Sequence, residues 1–188
     1  MFKHLHSLAL LAPVVSGLIF STQAARAEES FVDIGYSPAN GSITQSIVFG
    51  VYGLKEKNSM YVNFSLGLPP GDSDYVNSNF YSGTASDFKQ IPMSINVGST
   101  FPIIPDGTKV PIYKSIHSYF GVGYASLSGI AKYSSGGYDY GYYNYTSNDK
   151  SGLNLNGGLI FMFNSFGINV GANTFTKSVY INIGAMIN

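Results

Sequence analysis

Apolar and small polar positions alternate with a period of two along most of the chain. In 61–68, Val62, Phe64, Leu66 and Leu68 share one face, with Asn63, Ser65 and Gly67 on the other. In 91–99, Ile91, Met93, Ile95 and Val97 oppose Pro92, Ser94, Asn96 and Gly98. Residues 166–173 set Phe166, Ile168, Val170 and Ala172 against Gly167, Asn169, Gly171 and Asn173. In 178–187, Val179, Ile181, Ile183, Ala185 and Ile187 oppose Tyr180, Asn182, Gly184 and Met186. This is the period of a strand, and none of these segments has the i, i+3, i+4 spacing of a helix. The same reading predicts strands at 31–36, 43–54, 59–68, 91–99, 115–127, 152–163, 166–173 and 178–187. Two are less regular: Gln45 and Val48 stand on the wrong faces of 43–54, and 152–163 turns wholly apolar from Leu159.

Charge sharpens the pattern. Apart from Asp33, none of these eight segments contains Asp, Glu, Lys or Arg. A soluble sheet normally carries charge on the face that meets water. A wall neutral on both faces implies lipid on one side and a tight, neutral lumen on the other. An even number of strands returns the chain to the side on which it began. With the N-terminus on the periplasmic side, the long connections 69–90 and 128–151 fall outside, and the short connections 55–58 and 164–165 fall inside. That asymmetry belongs to outer-membrane barrels; 100–114 is long for an inside turn and 37–42 short for an outside loop. The same topology sends Asp72, Asp74, Asp87, Lys132, Asp139 and Asp149 outside, and Lys55, Glu56, Lys57, Asp106 and Lys109 inside.

The N-terminus reads as an export signal. Lys3, with His4 and His6, precedes apolar Leu8 to Phe20, and Ala25-Arg26-Ala27 offers small residues at the two inspected positions. Its apolar run, interrupted by Pro13, Ser16 and Gly17, is short of the roughly 20 residues a spanning helix needs. The expected organisation is therefore a signal peptide at 1–27 and one barrel domain at 28–188. The full chain has ten basic and ten acidic residues; without Lys3 and Arg26, eight oppose ten, a net charge near −2. No basic stripe suits nucleic acid. Cysteine is absent, which excludes disulfides and thiolate metal sites. The 22 glycines, 15 tyrosines and 13 phenylalanines, with no tryptophan, fit a β-barrel.

At Ser118-Tyr119-Phe120-Gly121-Val122-Gly123-Tyr124 the chain shows the aromatic-then-Gly-x-Gly strand of small Gram-negative barrels. With its export signal and eight strands it resembles the OmpA/OmpX type of outer-membrane β-barrel. The resemblance implies an all-β, eight-stranded antiparallel up-and-down transmembrane barrel in the outer membrane. Its implied partners are lipopolysaccharide, phospholipid and the outer-membrane insertion machinery. The chain departs from that type by ending Met186-Ile187-Asn188 rather than on an aromatic residue, and by lacking tryptophan for its aromatic girdles.

Catalytic chemistry is poorly supported. Beyond the signal, His117 is the single histidine; Ser115 and Tyr119 share its face, and no carboxylate is placed to orient it. Asp72 and Asp74 resemble part of a calcium loop without its glycine and distal glutamate. No catalytic residue, metal site or cofactor is expected. Asp33, Asn63, Asn96, His117 and Asn169 are assigned to the polar lumen. With no strand-borne Lys or Arg to pair with it, Asp33 is expected to be solvated near the periplasmic rim. Tyr133, Tyr138, Tyr140, Tyr142, Tyr143 and Tyr145 crowd one glycine-rich segment. They read either as a surface-interaction loop holding an extracellular ligand, or as a hairpin anchored by tyrosines at headgroup level.

The leading expectation is a non-enzymatic barrel that supports the envelope, displays surface loops (adhesion included) and forms at most a narrow pore. Two alternatives stay open. One is a soluble calycin-like barrel holding an apolar ligand, since alternation alone does not say which face is inward. The lesser one is an outer-membrane enzyme that modifies lipid A.

Overall fold

The computed structural model describes residues 30–54, 59–70, 75–79, 83–104 and 114–187. The export signal predicted at 1–27 lies outside the described residues, as do Lys55, Glu56, Lys57, Asp72, Asp74, Asp106 and Lys109. The strands are β1 (Ser30–Ser37), β2 (Ser46–Gly53), β3 (Ser59–Gly67), β4 (Tyr75–Asn79), β5 (Thr84–Ile104), β6 (Ser115–Ser135), β7 (Tyr138–Asn144), β8 (Lys150–Phe163), β9 (Phe166–Asn173) and β10 (Ser178–Ile187). Eight of them, β1, β2, β3, β5, β6, β8, β9 and β10, form a closed antiparallel ring. Neighbours in sequence pair throughout, and β1 pairs with β10 to shut the ring.

All eight predicted segments are strands of this ring, and the structure decides which face is inward. Asn63, Ser65, Ser94, Asn96, Asn154, Asn156, Asn169, Asn173 and Asn182 are buried, while Val32, Ile34, Phe64, Leu66, Val122, Leu155, Val170, Ile181 and Ile183 are exposed. Ile183, for example, has 64% of its surface open beside fully buried Asn182. The apolar faces therefore point outward, which overturns the calycin-like alternative: these faces line no internal cavity. Full closure also leaves the wall without a free strand edge.

The irregular segments have local causes. β2 begins at Ser46 rather than residue 43, because the preceding residues leave the wall to meet β5. Thr44 N–H donates to the Gln90 carbonyl at 2.9 Å, and Gln90 N–H to the Ser42 carbonyl at 2.8 Å. Gln45 turns outward to accept a hydrogen bond from Tyr36 at 2.7 Å. Val48, on the unexpected face, is a buried lumen residue. The apolar end of β8 closes the barrel at the end where Ser30 and Ile187 lie: Ile160 and Met162 join Phe31, Leu54 and Tyr52 in one buried cluster.

Two predicted connections contain strands instead. β5 and β6 are 21 residues each and run well past the ring as a paired ladder, from Gln90↔Gly129 to Thr84↔Ser134. β7 folds back on β6, and β4 lies parallel to β7. The β6–β7 turn, Gly136-Gly137, has φ of 59° and 83°, the left-handed pair that a two-residue hairpin turn requires. The loop reading of 69–90 and 128–151 is corrected accordingly. A four-stranded sheet continues the wall upward on one side of the barrel mouth.

Candidate functional site

Two places concentrate side chains that can do chemistry or recognition: the lumen and the extension. In the lumen, strand parity sends Tyr52, Tyr61, Tyr119 and Tyr180 inward, and all four are buried. Their rings fill the barrel, with Tyr52 stacked on Tyr61 at 5.4 Å and Tyr119 edge-on to Tyr61 at 5.0 Å. Glycines on facing strands make the room. A Cβ at Gly171 would collide with the hydroxyls of Tyr119 and Tyr180.

Most polar atoms of this filling satisfy one another, with Asn182 Oδ1 left without a partner among the described residues. Tyr119 donates to Asn169 Oδ1 at 2.9 Å and lies 2.7 Å from the Tyr180 hydroxyl. Its one proton being committed, Tyr119 accepts from Tyr180. Tyr180 also accepts from Asn63 at 2.9 Å and Asn156 at 2.8 Å, which completes its hydrogen-bonding capacity. Tyr61 donates to Asn156 Oδ1 at 2.8 Å. Asn96 donates to Asn63 Oδ1 at 2.8 Å and accepts from Asn154 at 2.7 Å. Asn173 Oδ1 gathers amide protons from Asn154 at 2.8 Å and Asn156 at 3.0 Å. The network ends near the mouth at Ser178 and Thr176, 2.7 Å apart.

Asp33 joins this network at its other end. Its carboxylate accepts from Asn169 at 2.7 Å and Asn182 at 2.8 Å, and only 3% of the residue is exposed. The expectation of a solvated Asp33 at the rim is therefore corrected. Two side-chain amides replace the missing cation, and register places Asp33 between two glycines, Gly50 and Gly184. His117 is also buried, with Nε2 3.0 Å from Ser115 Oγ. Of the residues assigned to the lumen, Asp33, Asn63, Asn96 and Asn169 lie in the shared network. His117 is tied to Ser115, its neighbour on the same face. Sequence reasoning missed Tyr52, Tyr61, Asn154 and Asn156, and it set Tyr119, Tyr180, Asn173 and Asn182 on the polar faces without giving them a part in the lumen, although the parity that found Asn63 marks them all.

The extension treats its six tyrosines differently. Tyr142 and Tyr133 are buried, Tyr143 and Tyr145 half-buried, and Tyr138 and Tyr140 exposed. Tyr142 donates to Asp87, whose carboxylate also lies 3.3 Å from Lys89 Nζ. Lys89 sits 4.9 Å over the Tyr142 ring centre, a cation–π contact. Asp87 has φ of 43° at a bulge in the β5–β6 ladder, which turns its side chain toward Tyr142. The Tyr142 hydroxyl, then Lys89 and Lys132, hold the Asp87 carboxyl below the ordinary aspartate range. Burial, then the Asp87 carboxylate, pushes the Tyr142 phenol up, and the Tyr142 contact raises Lys89. Among the described residues no group of three His, Cys, Asp or Glu side chains could hold a metal ion.

No protein-family model matches the chain, and no curated protein sequence matches it. Among solved structures it is similar to Ail, the attachment invasion locus protein of Yersinia pestis, solved in complex with the heparin analogue sucrose octasulfate. The TM-score is 0.51 at 16% sequence identity, over 85% of this chain and 98% of Ail. At that identity the likeness is one of fold.

Proposed function

We propose that the protein is a non-enzymatic outer-membrane barrel of a Gram-negative bacterium, exported by a signal at 1–27, whose extension makes contacts outside the cell. One observation carries this reading: the wall is inside out relative to a soluble barrel. Exposed Ile, Val, Leu and Phe ring a core of Asn and Tyr. Such a surface is insoluble in water and suited to hydrocarbon. The orientation follows from the sheet that β5 and β6 raise on one side, since tall structure belongs on the outer face and short turns on the periplasmic face.

Attachment is supported by the height of the tip. β6 continues about eight residues past Leu127, roughly 20 Å once strand tilt is allowed for. Tyr138 and Tyr140 therefore stand clear of the headgroup level where girdle tyrosines work. A filled lumen argues against general conduction, because eight strands leave space for side chains and little else. The charges of 69–90 and 128–151, Lys89, Lys132 and Lys150 against Asp72, Asp74, Asp87, Asp139 and Asp149, give a sulfated ligand like the one bound to Ail no net attraction.

Cell fractionation with gel mobility before and after boiling tests the barrel reading. Recovery in the outer-membrane fraction with a heat-dependent shift is expected, and soluble protein without a shift contradicts it. Replacing 134–140 by a short Gly-Ser turn tests the contact reading. Attachment to host-cell monolayers is expected to fall while the heat-dependent shift persists; unchanged attachment contradicts it.

A further inference from the structure

The two faces of the extension differ in chemistry. By register, residues 129, 131 and 133 of β6 continue the lumen-facing side, and Tyr143 opposes Ala131 there. On this concave side Phe88 lies 5.0 Å from Tyr145, and Tyr133 meets Tyr143 edge-on at 6.1 Å. Tyr138, opposite Ser135, belongs to the same side. The convex side carries Asp87, Lys89, Lys132 and Tyr142, which interact with one another. The charges of β5 and β6 thus lie on one face with Tyr142, while Phe88, Tyr133, Tyr138, Tyr143 and Tyr145 lie on the other.

We propose that the concave aromatic face binds an uncharged oligosaccharide. The inference rests on the extension being the outward contact element and names the class of its partner. Three observations favour that class. First, Lys89 and Lys132, the described cations of β5 and β6, lie on the far side with Asp87, so no cation of the ladder draws a polyanion to the concave face. Second, Phe88 and Tyr138, 43% and 73% exposed, present flat rings against which the C–H face of a pyranose packs. Ser135, opposite Tyr138 in the ladder, and Thr146, next to Tyr145 in the chain, offer exposed hydroxyls for the sugar's own hydroxyls. Third, size decides against a protein partner. Two rings so exposed offer roughly 300 Å², well short of the ~800 Å² per partner in a standard protein interface, yet enough for a few sugar rings. The ladder of β5, β6 and β7 fixes the backbone that carries both rings, which limits the ordering cost of binding.

The full chain in lipid nanodiscs, probed with maltohexaose, cellohexaose and sucrose octasulfate by saturation-transfer NMR and calorimetry, tests this. At least one neutral hexasaccharide is expected to bind with an affinity unaffected by added salt. Phe88→Ser and Tyr138→Ser should each weaken it about tenfold, while Lys89→Gln leaves it unchanged. The heat-dependent gel shift confirms that each variant folds. Binding of sucrose octasulfate alone, binding of no sugar, or neutral-sugar binding indifferent to both aromatic variants overturns the inference. If attachment still depends on 134–140 while no sugar binds, the partner class falls and the contact reading survives; sugar binding without any effect on attachment gives the reverse.

Discussion

Four tyrosines inside the barrel and six in the extension share a side chain and differ in what surrounds it. Inside, every ring is walled in by strands on all sides, and the hydroxyls of Tyr61, Tyr119 and Tyr180 meet asparagine or another tyrosine within 3 Å. Such a buried network loses stability with each partner removed, since an unpaired polar group inside has no water to turn to. In the extension, Tyr142 is fastened by an ion pair at the surface, and Tyr138 and Tyr140 are left facing outward. The lumen tyrosines act as a solid filling, Tyr142 acts as a brace, and Tyr138 and Tyr140 are the exposed rings of the proposed contact surface. The contrast shows that tyrosine's role is set by the strand parity and height at which it falls.

The comparison breaks most readily at Asn169. Its amide donates to Asp33 and Tyr52, and its carbonyl accepts from Tyr119. Asn169→Leu strips Asp33 of one of its two asparagine donors and leaves buried hydroxyls unmatched, so a loss of about 3 kcal/mol is expected. Urea unfolding in lipid, followed by gel mobility, measures it; a loss below about 1 kcal/mol would show that the network is not a unit. Tyr180→Phe keeps the ring and removes a hydroxyl with three partners. About 2 kcal/mol is expected by the same assay.

Changes in the extension should be smaller. Because the folded Asp87 carboxyl is held below its ordinary value of 3.8, its brace is present above that value and fades as pH falls through the lower folded one. Half-exposed and screened by salt, it contributes under about 1 kcal/mol. Hydrogen exchange of β7 amides, taken relative to the intrinsic rate at each pH, should therefore quicken in strong acid and be unchanged between neutral pH and pH about 5. Asp87→Asn should quicken it at neutral pH. Tyr138→Ala and Tyr140→Ala should leave stability within about 0.5 kcal/mol, so any loss of attachment they cause is a loss of contact.

Much of the barrel was legible because a wall between lipid and a neutral lumen writes a period of two with no charges. Inward and outward were not legible from alternation, since both faces of a strand obey the same period. The absence of charge was the hint, and the burial of Asn63 beside the exposure of Phe64 supplies the answer. The upper thirds of β5 and β6 were misread as loops because Asp87, Lys89 and Lys132 broke the pattern. Above a membrane a strand has no reason to exclude charge, and the bulge at Asp87 shifts its parity as well. The fate of Asp33 was hidden for another reason. Its partners, Asn169 and Asn182, stand 136 and 149 residues away. Ring closure between β1 and β10 brings them together, and no local spacing records that.

The chain contains no cysteine, so a single introduced cysteine reports on one position alone. Spin labels placed in turn at Val179, Ile181 and Ile183, in native outer membranes, test the inside-out wall most directly. Strong relaxation by dissolved oxygen and none by a water-soluble nickel complex is expected at all three, with the reverse for a label at Tyr138. Access of the nickel complex to Ile181 or Ile183 would contradict it.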